Sequence, residues 1–250
     1  MQRFLTLFRR ELANYFLSMT GYIIIAAVMF LTGYSFVVLL IKLQQVPTPM
    51  PITEMFYVTP FFWIILLLAT PAITMRLFAQ EKFSGTFETL MTAPVSDLEV
   101  VLAKFGAALT FYLVTWAPLL GCILVVKYFT SDGTAFDRGV IVSTFIGILL
   151  LGGVFVSAGC CASAVTRRQE TAAMISLVFG AGLFLLGVLA GQLPNDASWQ
   201  SRALAALAVF DQMHDFSRGV VDTRSVVLLV SVTLYFLFLT LRIVESRRWR

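Results

Sequence analysis

Residues Gly139 to Thr166 read GVIVSTFIGILLLGGVFVSAGCCASAVT, 28 consecutive positions without Asp, Glu, Lys, Arg or His. A helix crosses the hydrocarbon core of a bilayer with about 20 predominantly apolar residues, so this stretch is long enough to span a membrane. On either side of it, the uncharged blocks Gly21 to Ile41, Phe56 to Met75, Phe105 to Val126 and Thr171 to Pro194 meet the same requirement, and Ser225 to Leu241 is a shorter sixth. The whole chain agrees with this reading. It is 59% apolar and 13% charged, with a mean hydropathy of +0.88, where a soluble domain carries about 25% charged residues. The sequence therefore predicts an all-α integral membrane protein forming one membrane domain over residues 1–250, with spans near 21–41, 56–75, 105–126, 139–166, 171–194 and 225–241. Pro60, Pro71 and Pro118 fall inside these blocks and predict local kinks that neighbouring helices can accommodate.

Positive charge sets the orientation. Taking the termini and the even-numbered connections as one side, 12 of the 18 Lys and Arg residues fall there and 6 on the other, while the 14 acidic residues divide 7 and 7. Both termini are expected in the cytoplasm. The net charge of +4 then describes the inner membrane face. No basic stretch is interleaved with stacking aromatics as a single-strand nucleic-acid binder would require. The first apolar block follows an Arg-bearing stretch and runs for a full span without an A-x-A-like site, so no cleavable signal peptide is expected. Cys122, Cys160 and Cys161 lie inside apolar blocks and read as small packing residues.

Three segments carry more detail. Residues 3–16 form an amphipathic pattern with Phe4, Phe8, Leu12 and Tyr15 on one face and Arg9, Arg10 and Asn14 opposite. That pattern suits a helix in the membrane interface, the alternative being a straight extension of the first span; Thr20 and Gly21 favour a break. In the fourth and fifth blocks Gly153 and Ser157, Ala158 and Ala162, and Gly187 and Gly191 are each four apart, a spacing that lets helix backbones approach closely.

The third segment is the loop Arg76 to Lys104, RLFAQEKFSGTFETLMTAPVSDLEVVLAK. Gly85 should stop the helix leaving the second span. Thr86 to Thr92 can form a short helix with Phe87, Leu90 and Met91 on one face and Glu88 elsewhere. Pro94 ends it, and Ser96 with Glu99 forms a capping box for the third span. So short a helix is marginal in water and needs a surface, either a protein partner or the membrane.

The N-terminal LFRREL with Tyr15, Phe16 and GYIII, the central Glu81, Gly85, Thr86, Glu88, Leu90 and APVSD, and the C-terminal FSRGVVDTRSVV followed by ESRRW together resemble the membrane subunit of a type-2 ABC exporter, similar to the gliding-motility-associated permeases. The resemblance implies that the short helix is a coupling helix seated on a separate ATP-binding subunit. Phe87, Leu90 and Met91 would anchor it, and Glu81 and Glu88 would meet basic groups of that partner. A membrane-interface anchor for Phe87 and a solvated helix end for Glu81 are the plainer readings. The resemblance further implies that the N-terminal helix touches the ATPase, with Phe4 and Phe8 available for contact. It implies two permease copies and two ATPase copies, ATP and Mg on the partner only, a bacterial cytoplasmic membrane, and a membrane-anchored extracytoplasmic subunit.

The phosphate-cradling GxxxxGK[ST] motif is absent from these 250 residues. Between the fifth and sixth spans, Gly191 to Arg224 contains the apolar patch Ala203 to Phe210, too short to cross a bilayer and expected as an interfacial or re-entrant helix. His214, beside Asp211 and Asp215, is too sparse a donor set for a metal site. An ion-coupled secondary carrier is the alternative function, but such carriers bury ionisable groups at mid-membrane depth, and the six uncharged blocks hold none. An intramembrane enzyme lacks a Ser/His, paired-carboxylate or His/Glu constellation within the spans. With 23 Phe residues, an apolar or lipid-linked cargo is compatible, although lipid-facing Phe accounts for the same composition.

Overall fold

A computed structural model describes residues 2–45, 52–87, 95–129, 138–192 and 209–248. The described residues are almost entirely helical, with no strand among them. In chain order the helices are α1 (Gln2–Phe16), α2 (Met19–Gln45), α3 (Ile52–Val58), α4 (Pro60–Thr74), α5 (Ala79–Ser84), α6 (Asp97–Thr115), α7 (Ala117–Phe129), α8 (Arg138–Val165), α9 (Gln169–Gln192), α10 (Val209–Ser217) and α11 (Thr223–Arg248). Among the described residues six segments are long and apolar enough to cross a membrane: Met19–Lys42, Pro60–Ser84, Asp97–Tyr128, Arg138–Val165, Gln169–Leu189 and Thr223–Ser246.

The breaks follow local chemistry. Pro60 opens α4 at a position where its missing N–H costs nothing, so the block beginning at Phe56 divides at Thr59 into α3 and α4. Pro118 cannot donate to Val114 and its ring crowds that carbonyl. The third span accordingly jogs at Trp116, whose N–H turns back to the Leu113 carbonyl at 3.1 Å before Leu119 N–H bonds to Trp116 at 3.1 Å. Pro71 sits within α4. At the N-terminus the chain bends at Leu17 and Ser18, three residues before the expected Thr20 and Gly21. Ser18 Oγ accepts from the Gly21 N–H at 3.2 Å, so the serine caps α2 and the threonine and glycine lie inside it.

Helix α8 is the hub, packing against α4, α6, α9, α10 and α11. Its side chains from Leu151 to Cys160 are all buried, as are Phe62, Ile65, Leu66 and Ile73 of α4 and Phe111 and Tyr112 of α6. The tightest approaches to α8 are at Gly152, where an added Cβ would lie 2.1 Å from the Tyr112 ring, and at Gly159, where it would lie 2.2 Å from Thr74 Oγ1. Gly153 instead faces Thr233 of α11 at a less extreme but still close approach, its hypothetical Cβ 3.3 Å from Oγ1. Ser157, Ala158 and Ala162 are buried on α8, Gly187 is buried on α9, and Gly191 lies near the end of α9. The first, fifth and sixth spans leave many large apolar side chains uncovered, among them Phe30, Met174, Val178, Val227 and Leu234, as helices solvated by lipid or by another chain would.

Candidate functional site

The loop that the sequence singles out begins on a rigid base. Between α4 and α5 the chain turns, and Ser163 of α8 fastens the turn: its Oγ accepts from the N–H groups of Phe78 and Ala79, both at 3.0 Å, and donates to the Met75 carbonyl at 3.3 Å. Lys82 Nζ donates to the Ala164 carbonyl, which adds a second tie from α5 to the end of α8. Gly85 then ends α5 with φ of 75°, a left-handed conformation that glycine adopts without the Cβ penalty. Thr86 follows, exposed, and Phe87 is buried with Lys82 Nζ 5.3 Å from its ring centre. Glu88, Leu90 and Met91 lie outside the described residues. On the far side of the loop the capping box is complete: Ser96 N–H donates to Glu99 Oε2 at 3.1 Å, and Glu99 N–H to Ser96 Oγ at 3.3 Å.

The same end of the bundle holds a buried ion cluster. Lys104, two turns into α6, is 2% exposed. Its Nζ lies 2.8 Å from Glu81 Oε1 of α5 and 3.1 Å from Glu11 Oε1 of α1, and 5.4 Å from the centre of the Phe78 ring. Arg10 adds a longer contact to Glu81, at 3.5 Å, from a half-exposed side chain. One lysine therefore joins the N-terminal helix, the end of the second span and the start of the third. Burial of a charge is tolerated only when it is paired and hydrogen-bonded, and two carboxylates around one ammonium meet that condition.

Helix α1 is held by its apolar face. Phe4 and Phe8 stack at 6.2 Å, Tyr15 stacks on Phe111 at 4.8 Å, and Leu12 is partly covered. Arg9 is exposed. Tyr15 donates to the Ile73 carbonyl at 2.9 Å, and burial, followed by the nearby Glu11 charge, holds its phenol well above the ordinary range, so that it stays a donor. Glu81, read from sequence as a contact for a partner, is thus engaged within the chain. Glu11 and Lys104 were not singled out by sequence reasoning, yet each carried a signal. Glu11 interrupts the apolar stripe between Phe8 and Tyr15, and Lys104 follows Val100, Val101 and Ala103 in a buried run.

Comparison with known families bears directly on a bundle of this kind: the description "ABC-2 family transporter protein" matches residues 40–242. The chain belongs to the ABC-2 transporter family. It is a membrane component of an ABC transporter, and membership implies an ATP-binding partner subunit. No curated protein is detectably similar in sequence. The match covers the second through fifth spans and most of the sixth, so the ABC-2 region contains Glu81, Lys104 and the loop between them, while α1 with Glu11 precedes it.

At the opposite end of the ABC-2 bundle a second buried carboxylate appears. Glu54 of α3, 4% exposed, accepts from Arg218 Nε at 2.7 Å, and His214 Nε2 lies 3.3 Å away. Thr53 donates to the Ser217 carbonyl at 3.2 Å and Ser143 to the Phe216 carbonyl at 2.8 Å. Met213 and Phe216 are buried against α8. Of the apolar patch in the connecting segment, residues 203–208 lie outside the described residues; α10, which follows them, is docked on the bundle by these contacts. His214 meets a carboxylate on α3, and no group of three or more His, Cys, Asp or Glu with metal-binding geometry occurs among the described residues.

Proposed function

We propose that the chain is the permease subunit of an ABC exporter, paired with a second permease copy and driven by two copies of a separate ATP-binding chain that carries ATP and Mg. In this reading the loop from Arg76 to Lys104 and the exposed side of α1 face the cytoplasm of a bacterial inner membrane. The helix expected over Thr86 to Thr92 is the coupling helix, with Leu90 and Met91 toward the ATPase and Glu88 at the rim. The observation that carries the proposal is the Lys104 cluster. A displacement of the loop cannot move α5 alone, because Lys104 links it to α1 and α6, and Ser163 links it to α8. Motion imposed at the loop is therefore passed to the second, third and fourth spans together.

The work done across the membrane is transport of an apolar or lipid-linked molecule, or transmission of force to a membrane-anchored extracytoplasmic subunit as in the gliding-motility-associated permeases; the docked α10 region, as an interfacial or re-entrant element, is where such a subunit would be met. The decisive test is retention of the ATPase on affinity-tagged permease. Leu90→Asp places an unpaired charge in an apolar contact and should lower retention by orders of magnitude, whereas Glu88→Lys should mainly alter salt dependence. Undiminished retention with Leu90→Asp would remove the loop as the principal contact and move attention to Phe4 and Phe8. Accessibility labelling at Gln2, Thr89 and Ser198 tests the orientation, and external labelling at Thr89 would reverse it.

A further inference from the structure

The chain that leaves α5 turns back on itself at once. Gly85 has a φ of 75°, one of two positive values among the described residues, the other being at Gly219. A Cβ added at Gly85 would meet no atom within 4 Å beyond its chain neighbours. Glycine therefore serves here for conformation and not for room. Around the turn the hydroxyls of Ser84 and Thr86 lie 2.9 Å apart, and the Glu81 carbonyl accepts from Ser84 at 3.3 Å, with a longer contact from Thr86 at 3.5 Å. The residue whose carboxylate holds Lys104 thus has its carbonyl held by the turn.

The reversal carries Phe87 onto Lys82. Phe87 is 8% exposed and joins the apolar core, its ring centre 5.3 Å from Lys82 Nζ. The same ammonium donates to the Ala164 carbonyl, at the end of α8, where the last carbonyls have no partner within the helix. The last turn of α8 has no basic residue of its own, so Lys82 also supplies the cation that favours that pole. Phe83, next to Lys82, is 75% exposed. Phe87 is thus buried by the turn, and not by general cover of this surface. From sequence it shares a face with Leu90 and Met91 as an anchor for a partner, yet its ring is covered by residues of this chain. A docking element aimed in advance gives up less conformational freedom on binding.

We propose that Lys82 and Phe87, closed across Gly85, are positioning residues that fix the direction in which the coupling loop leaves the bundle. Phe87 acts from inside the permease and does not touch the ATPase. The inference rests on the reading of this loop as the ATPase contact and adds what aims it.

The first test is hydrogen exchange, followed by mass spectrometry, of residues 82–87 in the detergent-purified full chain. Gly85→Ala should speed exchange about tenfold, because alanine resists the left-handed conformation, while Gly85→Asn, which tolerates it, should stay near wild type. Lys82→Met should also speed exchange about tenfold, the worth of one charge-assisted hydrogen bond. Unchanged exchange in Gly85→Ala and Lys82→Met would overturn the pin. The second test is the affinity of the ATPase for the same variants. Gly85→Ala should lower it about tenfold and Gly85→Asn should not. Lys82→Met should lower it about tenfold and Phe87→Leu, which removes the ring beneath the ammonium, about fivefold. Because both break one contact, the double variant should bind no more weakly than Lys82→Met alone. An additive loss of about fiftyfold would place Phe87 on the ATPase and overturn the assignment, as would undiminished affinity in Gly85→Ala. Exchange is read on the permease alone, so it answers for the pin whether or not Leu90→Asp releases the ATPase, and Leu90→Asp answers separately for the loop as the docking element.

Discussion

The two ends of the bundle solve the same electrostatic problem in opposite ways. Around Lys104 the cation is the buried partner, 2% exposed, and two carboxylates from different helices close on it. Around Glu54 the carboxylate is buried, its side chain 5% exposed, and its partners reach in from outside, the side chains of Arg218 and His214 being 50% and 30% exposed. A lysine sealed between two helices has no alternative conformation that returns its charge to water. An arginine lying half in solvent has one. The first arrangement makes three helices move together, and the second anchors a connection to the bundle while leaving the cation free to withdraw.

Substitutions at the two ends put this contrast at risk, most severely at the sealed lysine. Lys104→Met leaves Glu11 and Glu81 buried without their ammonium and should cost about 3–5 kcal/mol, read as a large fall in the thermal midpoint of the solubilised chain. Replacing the cluster as a whole, Lys104→Met with Glu11→Leu and Glu81→Leu, should recover most of that loss, because well-packed apolar groups substitute for buried ions without penalty. The recovered protein should retain the ATPase yet fail to raise its turnover. If turnover is normal in the apolar triple variant, the cluster is structural and the force path lies elsewhere, through Ser163.

At the other end, Arg218→Ala leaves Glu54 with His214 nearby and should cost about 1–3 kcal/mol, the scale for an acceptor that loses its partner. A loss as great as that of Lys104→Met would show that the half-exposed arginine is as indispensable as the sealed lysine, and the contrast would fall. Proteolysis of the α10 region should accelerate in this variant, and cleavage near α1 should not. Smallest of all, Arg10→Ala removes a 3.5 Å contact from a side chain that is 55% exposed and should cost about 0.2–1 kcal/mol, seen as a slight change in thermal midpoint that vanishes at high salt.

The two ends also differ in how far the sequence announces them. Near Lys104 the local signals are readable: Gly85 as a stop and Ser96 with Glu99 as a cap are interactions within three or four residues. The ion cluster shows only as two anomalies, an acid in the apolar stripe of α1 and a lysine in a buried run. Near Glu54 there is less to read. Its partner Arg218 is 164 residues away, and His214 draws attention for its sequence neighbours Asp211 and Asp215 although the carboxylate facing it comes from α3.

That the chain is a bundle of six membrane-crossing helices follows from the sequence alone, because uncharged runs of sufficient length have no other stable use and helix caps act over one turn. The ABC-2 pattern, distributed over most of the chain, is likewise written there. Which small residues admit a neighbour, and which charges meet, became settled only on folding: Gly152 and Gly159, rather than Gly153, are the closest approaches on α8. The cause is one of range. Hydrophobic length and capping are settled between residues a few positions apart, whereas Lys104 meets Glu11 across 93 positions and Glu81 across 23, and no local rule states which helices will be neighbours once the bundle has closed.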